Sequence, residues 1–400
     1  MVVGAGPAGS DLAWRLASAG SEVLLVDRLA DLQQAAFSSA AVPQSLIEAY
    51  GIPAAVQAAS WSRWSLIGPD GRERQWSHAQ PLGAVLDFGA LRQWLVQRAQ
   101  RAGVQVRLGW CALGWQPLAD GPEGALLQLR AADGSQQSVA CRWVVDATGQ
   151  QRGLIGDPEV AKAPLVSGRG VEWLLGVDQG CWERWSERLS FLLGSAWVPQ
   201  GYGWVFPMQP GQLKLGVCRL DDRSRPQPPL QTLMQRLMER LELGRASVLD
   251  RHGGLIRSSI RRREPHRRGP VLAVGDAVST ANLLGGEGIR HALNSSAVLA
   301  PLLISALVAG RAERDPLRRY PRQLRRSLGW RWSLSGRLAQ RTWLGLHNAR
   351  ADRHLERLLQ GLEHSASAQD LSNLLFHYRF ERYGLRALPY LVGFGKRPQA

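Results

Sequence analysis

The chain has 400 residues, 45% hydrophobic and 20% charged, with a formal net charge of +16. This suggests a globular protein of two or three domains and excludes a disordered or fibrous one. Cys111, Cys141, Cys181 and Cys218 are widely spaced with no C-x-x-C pair, which argues against a metal or dithiol site and fits a reducing compartment; no signal-peptide pattern opens the chain, and the longest apolar run, 297–309, holds Pro301 and is too short to span a bilayer.

Gly4-Ala5-Gly6-Pro7-Ala8-Gly9 is a G-x-G-x-x-G run. A helical pattern follows over 10–19, then the apolar run Val23-Leu24-Leu25-Val26, which ends in Asp27. Strand, glycine turn, helix, strand and acid form the order of a dinucleotide-binding βαβ unit. Gly4 makes the tight turn, Gly6 lets the backbone approach a pyrophosphate, and Gly9 lets the helix pack close on the strand. Pro7 and Ala8 stand at the helix start, where free N–H groups and the dipole face the phosphates. Asp27, with Arg28 beside it, can accept from ribose hydroxyls. Only three residues precede Gly4, where strands usually run to about five or six. A native start upstream of Met1 and a short first strand both fit.

Residues 37–43 form a small-residue loop in which Ser38 can pass close to a bound cofactor. A short helix follows over 44–50. Residues 61–67 and 73–76 flank Pro69-Asp70-Gly71 and predict a hairpin. Residues 87–103 predict an amphipathic helix capped by Asp87, with Arg92 in its early turns as a candidate to reach a pyrophosphate. A strand over 104–108 follows, then hairpin strands at 125–129 and 137–140. The apolar strand at 143–146 ends in Ala147-Thr148-Gly149, small enough for close approach to a ligand.

Gly201-Tyr202-Gly203-Trp204-Val205-Phe206-Pro207 predicts a strand whose alternation sends Tyr202, Trp204 and Phe206 to one face. They can roof a flat or greasy ligand; packing between domains is the competing reading. A helix is expected over 231–243. A third motif begins with an apolar strand ending in Gly275-Asp276-Ala277. It continues through Asn282 and Gly285-Gly286-Glu287-Gly288-Ile289 into a long helix to about 309. The whole charge excess lies in residues 251–400, with 26 basic and 10 acidic side chains. Residues 311–400 predict basic helices in which Arg alternates with Trp330, Trp332 and Trp343, a pattern suited to a membrane interface. Leu355, Leu358, Leu359 and Leu362 form a helical stripe. This spacing is not a nucleic-acid-binding motif.

These three motifs in this order resemble the FAD-dependent oxidoreductases with the p-hydroxybenzoate-hydroxylase fold. Within that group, 201–207 resembles the aromatic Y-x-W-x-F-P motif of the geranylgeranyl reductase family, and 275–289 resembles its G-D-A…N-P…G-E-G-I segment. Leu283 stands where the family has Pro, Ser38-Ser39-Ala40-Ala41 where it often has Cys-Gly-Gly, and Phe88 where an Arg is usual.

The resemblance implies an α/β fold, with a Rossmann-like FAD-binding domain, an inserted mixed-sheet substrate domain and a helical C-terminal region. The expected boundaries are 1–150 (with a hairpin insertion near 51–85), 151–250, 251–310 and 311–400. FAD would be held by Gly4, Gly6, Pro7, Ala8, Gly9, Asp27, Arg28, Ser38, Arg92, Ala147, Thr148, Gly149, Gly275, Asp276, Gly286, Gly288 and Ile289, with Asp276 on the ribityl hydroxyls. Helix-start N–H groups at Gly286 and Gly288 would steady negative charge near N1/O2 of the reduced flavin. Tyr202, Trp204 and Phe206 would line a substrate pocket, and Tyr202 and Glu287 are the candidate proton donors; no metal is implied. The implied activity is reduction of isoprenoid double bonds, with NAD(P)H or reduced ferredoxin as transient electron donor. A monooxygenase acting on an aromatic small molecule and a redox-neutral carotenoid cyclase are the alternatives. The chain would be cytoplasmic, and its basic end could meet an anionic membrane or an acidic carrier.

Overall fold

A computed structural model describes residues 1–34, 38–118, 124–157, 165–260, 264–308 and 315–381. Strand Val2–Val3 lies inside a six-stranded sheet. Leu24–Asp27 and Val144–Asp146 flank it in parallel, with Gln105–Leu108 and Val271–Ala273 outside them. Arg267–Arg268 adds an antiparallel edge. Parallel strands covered on both faces need continuous apolar runs, which is what these short segments provide. Helix Pro7–Ser18 begins with Pro at its first position, where the missing N–H costs nothing. Its Leu12 and Leu16 share a buried cluster with Leu299 and Leu303 of helix Ile289–Val308.

That second helix has the expected span, 20 residues from Ile289 to Val308. The run 297–309 is too short to cross a bilayer, but the whole helix is long and apolar enough by length and composition. Here it packs in the core: Ala292, Leu299, Leu303 and Ala306 are all buried against the sheet and its neighbours.

A seven-stranded sheet is ordered Ser247–Ser258, Val166–Gly176, Gln212–Leu220, Gly201–Pro207, Arg188–Leu193, Arg63–Ile67, Glu73–Ser77. The expected hairpin is present as its last two strands. It extends this large sheet through a parallel pairing with Arg188–Leu193. One face buries Trp173, Val205, Leu215 and Val217 against helix Leu230–Arg240. The other carries Tyr202, Trp204 and Phe206 in an aromatic cluster. Two three-stranded sheets complete the described strands. The first is formed by Trp110–Pro117, Ala125–Ala131 and Gln136–Cys141, so the hairpin expected at 125–140 gains a third strand. The second pairs Gly83–Leu86 with Ala41–Pro43, in the small-residue loop, on one side and with Gln57–Trp61 on the other.

Helices Tyr320–Gly345, Ala349–Ser365 and Ala368–His377 follow, the first kinked at Gly329. Leu355, Leu359 and Leu362 are buried against the cluster that holds Trp61 and Trp64. The leucine stripe is therefore internal, and the arginines at 322, 325, 326, 337 and 341 face outward. Residues 311–314 and 382–400 of the expected basic helical segment lie outside the described residues.

Candidate functional site

The glycine turn is built by close approach. A Cβ on Gly9 would sit 1.9 Å from the Gly4 carbonyl oxygen, and one on Gly4, at φ +108°, would sit 2.3 Å from the Ala147 oxygen. A Cβ on Gly6 meets nothing within 4 Å. Helix Pro7–Ser18 starts at Gly6 with no side-chain cap and no acid in its first turn. No side chain of its own first turn therefore caps its leading N–H groups. The Asp27 carboxylate accepts from Ala5 N at 2.6 Å and Leu29 N at 2.9 Å, so it also fastens the glycine loop to the second strand. Each carboxylate oxygen keeps a further lone pair. Arg28 is exposed. Arg92 is buried on helix Phe88–Arg101, with Nη1 3.4 Å from the Gln34 oxygen. Burial lowers its pKa, while the charges of Asp27 and Asp31 oppose that shift.

Ala147, Thr148 and Gly149 take their path from a residue that the sequence motif did not single out. Asp146 is fully buried and accepts from Thr148 N at 2.9 Å, Thr148 Oγ1 at 2.6 Å, Leu154 N at 2.8 Å and Ile155 N at 2.7 Å. The signal for it was an acid ending an apolar strand.

An uncapped helix start, open space over Gly6 and a carboxylate at the end of the second strand fit a dinucleotide pyrophosphate and ribose. The far end fits a flavin. Asp276 lies in the turn Gly275–Val278. Burial raises its carboxyl, against the hydrogen bonds from Thr280 and Ala281 and the charge of Arg152. A Cβ on Gly288 would lie 3.8 Å from Asp276 Oδ2. The Gly288 oxygen accepts from Ala292 N at 2.8 Å, which begins the helix at Ile289.

One cavity of about 350 Å³ joins these residues to the aromatic strand. Pro7, Asp276 and Gly288 line one side; Tyr202, Trp204 and Phe206 line the other. Ser38 and Ile289 border it as well, and Trp343 closes over Tyr202 with ring centroids 5.0 Å apart. Tyr202 and Cys218 stand opposite one another on paired strands. Burial raises both, Tyr202 well above the usual phenol value and Cys218 to about 12. Glu287 turns elsewhere. Its carboxylate accepts from Arg290 Nε at 2.5 Å, Arg290 Nη2 at 2.8 Å and the Tyr378 hydroxyl at 2.8 Å. It borders a small adjoining recess with Leu375 and Phe376. Burial pushes this carboxyl up, but Arg290 and His291 outweigh it, so its pKa is lowered and the group stays ionised.

The sequence did not single out a polar row on the cavity wall. Glu172 pairs with His252 on one neighbouring strand and with Gly216 on the other; Gly216 in turn pairs with Trp204. Trp204 Nε1 donates to Glu172 Oε2 at 2.8 Å, and His252 Nε2 lies 3.0 Å from Oε1. His252 Nδ1 lies 3.0 Å from Asp250 Oδ2, and Lys214 Nζ lies 3.9 Å from Glu172 Oε1. Lys214 also donates to the Ser38 oxygen at 2.5 Å; burial lowers its pKa against the pull of Glu172 and Asp87. A lone Glu on an apolar strand, alternating with Val171 and Trp173, was the available signal.

The profile of the family described as FAD binding domain matches residues 1–332. The chain is 28% identical over 335 residues to digeranylgeranylglycerophospholipid reductase 2 of Methanopyrus kandleri, covering 80% of each chain. It is 26% identical over 389 residues to the protein of that name from Methanothermobacter thermautotrophicus, covering 94% of this chain and 93% of the other. The structure of a geranylgeranyl bacteriochlorophyll reductase-like protein from Thermoplasma acidophilum superposes with a TM-score of 0.81 at 19% identity, covering 98% of both chains.

Proposed function

This chain belongs to the FAD binding domain family, and from that premise we propose that it reduces carbon–carbon double bonds of an isoprenoid substrate. It is an FAD-dependent oxidoreductase. The observation that carries the finer reading is the cavity of about 350 Å³ shared by the cofactor turn and the aromatic strand. Relatives named for digeranylgeranylglycerophospholipid reduction support it.

When bound and reduced, FAD supplies a hydride. Gly4, Gly6, Gly9 and the helix start would hold its pyrophosphate, with Arg92 nearby; Asp27 would hold its ribose and Asp276 its ribityl chain. Tyr202, Trp204 and Phe206 exclude water and give an isoprenoid an apolar surface. Tyr202 is the cavity-facing hydroxyl of the two candidate donors. Glu287, held ionised by Arg290, serves as a clasp between helices. Trp330 is 64% exposed beside outward arginines, which supports docking at an anionic membrane, where apolar substrates reside. NAD(P)H or a reduced acidic carrier would restore the reduced cofactor.

Mass spectrometry of geranylgeranyl diphosphate after incubation with the reduced holoenzyme tests this reading. Gain of two hydrogens per reduced double bond supports it; recovery of unchanged substrate from flavin-loaded protein opposes it.

A further inference from the structure

Reducing a double bond needs two unlike hydrogens. A hydride, carrying both electrons, goes to one carbon, and a proton from water completes the C–H bond at the other. Reduced flavin is oxidised as the alkene is reduced, and the protein must bring the proton to the cavity. Tyr202 is poorly suited to supply it repeatedly. Burial raises both its phenol and the thiol beside it, so each holds its proton tightly and is a weak acid near pH 7.

A different set of side chains leads from water to the cavity wall. Asp250 has a 62% exposed side chain, His252 13% and Glu172 5%. Asp250 Oδ2 stands 3.0 Å from His252 Nδ1, and His252 Nε2 stands 3.0 Å from Glu172 Oε1. Glu172 and His252 both line the cavity. Their alignment follows from sheet register, because Glu172 is directly opposite His252, and the Trp204 indole fixes the other carboxylate oxygen.

We propose that Asp250, His252 and Glu172 form a proton path from solvent to the cavity, ending at Glu172 as the group that protonates the second alkene carbon. The proposal rests on the prenyl-reduction reading. A proton reaching Nδ1 from the Asp250 side releases the one on Nε2 to the Glu172 carboxylate; the resulting acid gives it to carbon, and the carboxylate is then reprotonated through His252. The charged groups around the ring suit this traffic. Burial disfavours a charge on His252, but Glu172 across the pairing and Asp250 on its own strand outweigh it and raise its pKa. Lys214, on the third strand, faces Glu172 with Nζ 3.9 Å from Oε1. Arg251, between them in sequence, turns to the opposite face over Trp173.

The test compares His252→Gln, Asp250→Asn and wild type, each loaded with FAD and reduced anaerobically. Reoxidation by geranylgeranyl diphosphate in detergent is followed across pH. His252→Gln should slow reoxidation about tenfold or more, flatten the pH profile and raise the solvent deuterium isotope effect, with substrate affinity unchanged. Asp250→Asn, on an exposed side chain, should give a smaller loss in the same direction. Added imidazole should restore part of the rate to His252→Ala, which a merely structural histidine would not allow. Independently of turnover, the His252 ring in ¹⁵N-histidine NMR should titrate above a free imidazole, and lower in Glu172→Gln. Wild-type turnover with an unchanged rate and pH profile in His252→Gln would overturn the path alone. Inert wild type would instead overturn the prenyl-reduction reading, and the path with it, even where the NMR titration is as expected.

Discussion

The Trp204 indole reaches across the strand between them to donate to Glu172 Oε2 at 2.8 Å. Gly216, paired with both residues, makes the crossing possible. A Cβ there would lie 2.0 Å from the indole ring. Gly216→Ala should therefore push Trp204 aside. The expected cost is about 1–3 kcal/mol of stability from overpacking. Chemical denaturation should show that cost, and tryptophan fluorescence should report a changed Trp204 environment.

The cofactor turn separates two roles of glycine. Gly9→Ala places a Cβ 1.9 Å from the Gly4 oxygen, so helix and strand must part. It should lower the thermal midpoint of the apoprotein and abolish flavin retention. Gly6→Ala meets no protein atom within 4 Å. Its apoprotein should melt like wild type, while flavin affinity falls because the added methyl occupies the pyrophosphate approach. Thermal melts of apoprotein and the flavin-to-protein absorbance ratio distinguish the two.

Glu287 contributes pH-dependent stability. Its folded pKa lies below the unfolded carboxyl value of 4.5. The stabilisation is thus fully present above about pH 4.5 and is lost as pH falls through the lower folded value. Glu287→Gln leaves the half-buried Arg290 without its carboxylate. That should cost about 3–5 kcal/mol at neutral pH, and the variant should lose less stability than wild type on acidification. Urea melts at pH 7 and pH 4 measure both effects.

Tyr202→Phe and Glu172→Gln should differ in severity. The first keeps the ring that packs on Trp343 and loses only the hydroxyl, so turnover should fall by less than about tenfold. The second removes the acid at the end of the proton path, so the loss should be on the order of a hundredfold or more. Single-turnover rates on flavin-loaded proteins decide the order.

Much of this site is legible in the sequence because its parts are local. Gly4 to Asp27 form one contiguous βαβ unit. The aromatic face of 201–207 follows from strand alternation, and Asp276 lies a dozen residues before the helix start it faces. The cavity-wall row is not local. Glu172 and His252 lie 80 residues apart and meet only when their strands pair, while Trp204 reaches them over a third strand. The hairpin Arg63–Ile67 and Glu73–Ser77 was readable as a hairpin, but its parallel pairing with Arg188–Leu193 was not. Leu355, Leu359 and Leu362 read equally as an exposed or an internal stripe until the cluster around Trp61 covers them. Glu287 sits in a motif beside the cofactor turn, yet its direction depends on Arg290 and Tyr378, the latter 91 residues away.

The most direct measurement of the central claim is anaerobic. The purified protein is loaded with FAD, reduced, and mixed with geranylgeranyl diphosphate in detergent while the flavin absorbance near ~450 nm is followed, a band that belongs to the oxidised cofactor. The account predicts that the band returns without oxygen, in proportion to the double bonds reduced. A flavin that stays reduced until air is admitted would contradict it.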